Sequence, residues 1–138
     1  MEIKPSDLVL KVAKESIDLA IKCVATGETL LAFILTEGKS GAIHSLAGES
    51  FAEVLTMAQD VIDGFGPETT AFAFAYDGFI TLQGERSDCI FVESCEVGEE
   101  RIFVFAQRYR PKKFLRPAKR IGNWMCLERG NPKLRWNA

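Results

Sequence analysis

The side chains that could catalyse a reaction are few, and their spacing fits no catalytic or metal-binding pattern. His44 is the only histidine. Zinc sites use cysteines two to four residues apart, and none of the four cysteines lies that close to another: Cys23, Cys89, Cys95 and Cys126. A nucleophilic pair of His44 with a cysteine would have to be assembled by folding. The sequence therefore predicts no metal and no cofactor, and it favours a protein that is not an enzyme.

Two other groups of residues have a functional and a structural interpretation. Gly38-Lys39-Ser40 resembles the end of a phosphate-binding loop, but Phe33 stands where that motif needs glycine, so a turn is predicted. Four glutamates cluster around Gly98: Glu93, Glu96, Glu99 and Glu100. Only Glu93 lies within an apolar segment, where burial would raise its pKa toward a range useful for acid–base catalysis. The alternative is that these acids are solvated at a hairpin tip.

The charge is divided unevenly along the chain. Residues 108–138 carry ten lysines and arginines against one acid, whereas residues 1–107 have a net charge of −11. Cations mixed with aromatic rings are typical of nucleic-acid surfaces. The candidate nucleic-acid contacts are Arg108, Arg110, Lys112, Lys113, Arg116, Lys119, Arg120 and Trp124. The alternative is that the basic tail packs on the acidic body and its cations form ion pairs there.

These residues must be positioned by two helices and several strands. Apolar residues recur at helical spacing over 6–25 and again from Ser50, where Ser50 and Glu53 form a capping-box pattern. Residues 29–36 and 42–46 predict two strands. Residues 69–84 predict a hairpin that turns at Asp77-Gly78, and residues 89–95 and 101–109 predict a second hairpin around Gly98.

The coarse order α-β-β-α-β-β-β-β predicts an α+β fold. We expect an antiparallel sheet of five to six strands with two helices on one face. Prolines 111, 117 and 132 predict an irregular basic C-terminal tail. Residues 1–138 are predicted to form a single domain, with residues 110–138 as a basic extension packed on it.

The predicted hairpin at 69–84 has one face of alanines and one face of aromatic rings. The small alanines suit close approach of the helices, which would leave four rings uncovered: Phe72, Phe74, Tyr76 and Phe79. Large apolar patches on monomers are uncommon. The tail, a second subunit, or a small apolar ligand or protein partner should therefore cover this face, and a homodimer is expected. The alternative places the helices on the phenylalanines instead.

Composition excludes several classes of protein. With 138 residues, 47% of them hydrophobic, the chain is neither disordered nor long enough for separate cofactor and substrate domains. Its longest apolar run has six residues, so no membrane span is expected. Glu2 and Pro5 stand where a secretory signal would be basic and apolar, and the cysteines show no disulfide pattern, so a cytoplasmic location is expected.

The leading functional prediction is a non-enzymatic binding or interaction module that dimerises through its sheet and tail. One alternative is a nucleic-acid-binding protein that uses the basic, aromatic tail. The other is a small enzyme with an unrecognised site.

Overall fold

The computed structural model describes residues 4–39, 41–113, 115–127 and 130–136. The elements follow the predicted order: α1 Asp7–Ala25, β1 Phe33–Gly38, β2 Ile43–Ser45, α2 Phe51–Asp63, β3 Thr69–Leu82, β4 Glu85–Glu96, β5 Phe103–Arg110 and β6 Lys119–Cys126. The strands form one antiparallel sheet in the order β2-β1-β3-β4-β5-β6. The α+β class and the six-stranded antiparallel sheet are confirmed.

Both helices begin at serine caps, and the cap of α2 is the predicted one. The Ser6 hydroxyl accepts a hydrogen bond from the Val9 amide, and the Ser50 hydroxyl accepts one from the Glu53 amide. Each bond satisfies an amide that has no partner within the first helical turn. The apolar residues of each helix then face the sheet, since they recur at three- and four-residue spacing.

The predicted turn at Asp77-Gly78 is wrong, because β3 continues through it. The chain turns at Gln83-Gly84, whose φ angles of 51° and 79° are those of a two-residue type I′ hairpin. Continuing β3 to Leu82 adds six cross-strand pairs with β4. Gly78 serves close packing instead, because a β-carbon there would lie only 3.0 Å from the Phe91 ring.

The two helices lie on opposite faces of the sheet, which corrects the expectation that they share one. Helix α1 packs on the alanine row of β3, formed by Ala71, Ala73 and Ala75. Helix α2 packs on the other face, over Phe72 and Phe74. The physical reason is that both faces of the central strands are apolar, so one helix on each face buries both rows.

The basic tail is more ordered than the predicted irregular extension. Residues 119–126 form the edge strand β6, and Lys113 and Arg116 form an isolated bridge between β5 and β6. Farther along the chain, Leu134 and Trp136 pack against the core under α2. Segment 130–136, which we call the C-terminal segment, therefore covers part of the same face as α2.

Candidate functional site

Three of the four aromatic side chains proposed as a ligand or interface surface are in the core. Phe72 and Phe74 are completely buried and Tyr76 is nearly so, beneath α2 and the C-terminal segment. Phe79 lies on the opposite face, because the strand continues through Gly78 and its side chains alternate. It is 59% exposed, and the Arg86 guanidinium lies 4.1 Å from its ring centre. The reason for expecting a second subunit or ligand on this face, that nothing else would cover it, therefore no longer holds.

Glu93 is buried on the same face and holds the C-terminal segment. One carboxylate oxygen accepts hydrogen bonds from the Lys133 and Leu134 amides at 2.8 and 2.9 Å, and the other accepts one from the Tyr76 hydroxyl at 2.8 Å. Burial raises the pKa of Glu93, and these three donors oppose that rise. Both oxygens already have protein partners, so the geometry supports a structural role.

The other candidate catalytic groups also lack a partner suited to catalysis in the described part of the chain. His44 is exposed on the edge strand β2. Burial raises the pKa values of Cys89 and Cys95 to about 12, so both are neutral thiols at pH 7. Among the described residues no three His, Cys, Asp or Glu side chains are placed to hold a metal ion. Gly38 ends β1 and Lys39 follows in a turn, as predicted, while Ser40 lies outside the described residues.

The exposed cations collect on the hairpin that joins β5 to β6, which we call the basic arm (residues 108–113 and 115–120). Arg110 lies directly across from Lys119. Lys113 and Arg116 exchange two backbone hydrogen bonds, of 3.0 and 2.9 Å. The basic arm therefore contains two cross-strand pairs of like charge. Besides Arg120, which is exposed but paired with Asp18, five of its cations are exposed: Arg110, Lys112, Lys113, Arg116 and Lys119.

The base of the arm is attached to α1. The Arg120 guanidinium forms an ion pair with Asp18 at 2.6 Å, and this contact lowers the pKa of Asp18. The aliphatic part of Lys112 lies against Gly27, just beyond the C-terminus of α1, where the helix dipole favours a cation. Within the described ranges, the Arg120 pair is the only ion pair that a tail cation makes within 4 Å.

Two of the predicted nucleic-acid contacts are partly removed from the surface. Trp124 is half-buried against Phe105, with 5.3 Å between ring centres, and belongs to the core beneath α1. Arg108 is half-buried over Gly122, and its Nε atom is buried without a hydrogen-bond partner. The structure thus brings together the exposed cations of the prediction and separates them from the tryptophan.

The contacts that hold the C-terminal segment were not predicted from the sequence. Besides Glu93, the Gln59 side chain bonds the backbone of Arg135 twice, accepting from its amide at 3.0 Å and donating to its carbonyl at 2.9 Å. A glutamate within an apolar strand was the one available signal, because such a group needs donors when it is buried. Nothing in the local sequence indicates that those donors lie some 40 residues away.

No protein-family model, curated protein or solved structure matches this chain. Neither α1 nor α2, the helices in the described part of the chain, is long and apolar enough to cross a membrane. Function is therefore inferred from the geometry of the chain itself.

Proposed function

We propose that this protein is a non-enzymatic binding module that binds nucleic acid through its basic arm. The observation that carries the proposal is the group of five exposed cations, in addition to the paired Arg120, on one hairpin whose stretch of sequence contains no acid. Phosphates along a nucleic-acid backbone are the natural partner for such an arrangement, because each neutralised phosphate releases counterions.

The like-charge pairs support a polyanionic partner. Opposed cations destabilise an antiparallel pair of strands, and both Arg110–Lys119 and Lys113–Arg116 are such pairs. A phosphate between the members of a pair would remove this repulsion. The remainder of the chain is acidic and would be repelled by the same polyanion, so contact should be confined to the arm.

The test measures the binding of single- and double-stranded oligonucleotides to the full chain. Fluorescence anisotropy of the labelled oligonucleotide gives the affinity at several salt concentrations. If five cations contact phosphates, the slope of log K against log salt should be about −4.5 for duplex and about −3.5 for single strands. The variant R110E/K119E should bind at least about tenfold more weakly and show a shallower slope.

The matched control is K4E/K39E, which changes the net charge equally at two exposed lysines outside the arm. It should bind nearly as well as the wild type. Equal losses in the two variants would mean that net charge alone governs binding, and the arm would then not be the site.

The same proposal includes a homodimer and a cytoplasmic location. Leu31 and Ile43 are both about half exposed at the β2 edge of the sheet, opposite the arm. A second copy placed there would cover them, and two arms in one particle would bind a long polyanion with greater avidity. The unbridged thiols of Cys23, Cys89 and Cys95 support a reducing compartment.

A further inference from the structure

Leu115 is the most exposed large apolar side chain among the described residues. It is 89% exposed and lies between Lys113 and Arg116, the two cations whose backbones are hydrogen-bonded to each other. An apolar side chain so exposed, between two cations, gains nothing from the fold. A lone exposed leucine is ordinary on a protein surface, but this one stands at the end of the basic arm, where a partner bound by the cations would be within its reach.

The composition of the arm limits how it could recognise bases. Residues 108–120 contain no Asn, Gln, Ser, Thr, Asp or Glu, the side chains that read adenine and cytosine edges. The Tyr109 hydroxyl is already occupied, since it donates to Asp77 at 2.8 Å. Apart from guanine edges, which arginine and lysine read in the major groove, recognition should therefore depend on charge and on the shape of the nucleic acid.

The arm is also kept narrow. Opposed Cα atoms of antiparallel strands are about 5 Å apart, and the side chains make the ribbon wider than an undistorted minor groove of about 6 Å. The arm can therefore enter that groove only where the duplex is opened and bent. Pro111 and Pro117 flank the tip and have no amide hydrogen, so they oppose the addition of a further strand. The arm should consequently remain a two-stranded ribbon.

We propose that the arm enters the minor groove of duplex DNA, where Leu115 inserts between base pairs and bends the duplex. The proposal rests on the proposed function and specifies its ligand. Apolar wedges inserted at base steps kink DNA by about 20–90°. The cations on each strand of the arm would contact the phosphates on either side of the groove. The protein would prefer DNA sequences whose base pairs are easily unstacked.

The experiment is energy transfer between dyes at the two ends of a duplex of about 30 base pairs. The full-length protein should bring the ends together, and L115S should bind with an affinity within about fivefold of the wild type but leave the duplex straight. A duplex with a nick or a mismatch should bind the wild type more tightly than an intact duplex, because unstacking costs less there. L115S should lose that preference.

The matched control is F51S, which removes another exposed apolar side chain, at the start of α2 and outside both the arm and the β2 edge. It should bend DNA as the wild type does. Because Leu115 makes so few contacts in the fold, L115S should also unfold at the wild-type denaturant concentration.

The outcomes separate this inference from the proposed function. Tight, salt-sensitive binding without bending, or bending that L115S retains, would overturn the wedge and leave nucleic-acid binding in place. Absence of binding to any nucleic acid would overturn both. Binding to anionic lipid vesicles that L115S abolishes, with weak DNA binding, would identify a membrane surface as the partner and overturn both.

Discussion

At the scale of single residues, Glu93 is under two opposing influences. Burial disfavours its charged form, whereas the amides of Lys133 and Leu134 and the Tyr76 hydroxyl favour it. The net direction is a raised pKa, so the folded state binds a proton more readily than the unfolded state does. Proton binding and stability must therefore be linked at this residue.

The free energy of unfolding should fall as the pH rises from about 4.3, the ordinary glutamate pKa, through the raised pKa of Glu93 in the folded state. In that range the folded chain holds the extra proton, so a higher pH favours unfolding. Asp77, whose pKa burial also raises, contributes with the same sign, and Asp18 contributes with the opposite sign. Denaturant unfolding at several pH values measures the combined effect of these three groups on the free energy of unfolding.

The variant E93Q isolates the contribution of Glu93. The glutamine amide oxygen can accept from both backbone amides and its nitrogen can donate to the Tyr76 hydroxyl, but it does not titrate. The difference in the free energy of unfolding between wild type and E93Q should therefore change with pH. E93A leaves these donors without an acceptor, so its free energy of unfolding should be lower than that of the wild type by about 3 kcal/mol or more. A pH-independent difference between wild type and E93Q would contradict the linkage.

At the scale of elements, local signals located most helices and strands, and long-range pairing determined the rest. Asp77-Gly78 and Gln83-Gly84 are both acceptable two-residue turns. The choice depends on twelve pairs between β3 and β4 that no local window contains. Similarly, alternation along β3 revealed two apolar faces, but the face that α2 covers depends on how the chain crosses the sheet between β2 and β3.

The candidate site was predictable to the same extent. The run of cations from Arg108 to Arg120 was evident from the sequence, and all of them except Arg108 are exposed on the arm. That residues 119–126 continue the sheet was not evident, since prolines surround them. The side of the strand on which Trp124 lies is determined by its packing with Phe105, which a sequence pattern does not contain.

Replacing Gly84 with alanine should destabilise the protein by about 1 kcal/mol. Gly84 has φ 79°, a conformation that costs a residue with a β-carbon about 1–2 kcal/mol. Gly98 is the control, because a β-carbon there likewise meets nothing within 4 Å, and its φ lies outside the left-handed range. G98A should leave the denaturation midpoint nearly unchanged or raise it. Equal effects of the two substitutions would argue against strain at the β3–β4 turn.

At the scale of the whole molecule, the two edges of the sheet differ in character. Strand β6 carries Lys119 and Arg120 and contains a register shift opposite Ala106–Arg108, features that discourage further pairing. Strand β2 is short and exposes Ile43 beside the partly exposed loop before β1. A second copy is therefore better accommodated at β2 than at β6.

Sedimentation equilibrium at micromolar concentration should give twice the chain mass of 15.3 kDa. The variant I43K should shift the mass to that of one chain, because a charge would be buried at the contact. I121K places the same charge at an exposed isoleucine on β6 and should remain dimeric. A measured mass of 15.3 kDa for the wild type would contradict the homodimer and would mean that each particle has a single basic arm.

The alternation of alanine and phenylalanine along β3 also has an evolutionary consequence. Loss or gain of one codon between Ala71 and Tyr76 would exchange the two rows, since a one-residue slip reverses every side chain of a strand. Phenyl rings would then be forced against α1 while alanines left cavities beneath α2. Substitutions of similar size can be accepted one at a time, but a change of length cannot. Descendants of this chain should therefore vary in length in connections such as 97–102 and keep the length of β3 constant.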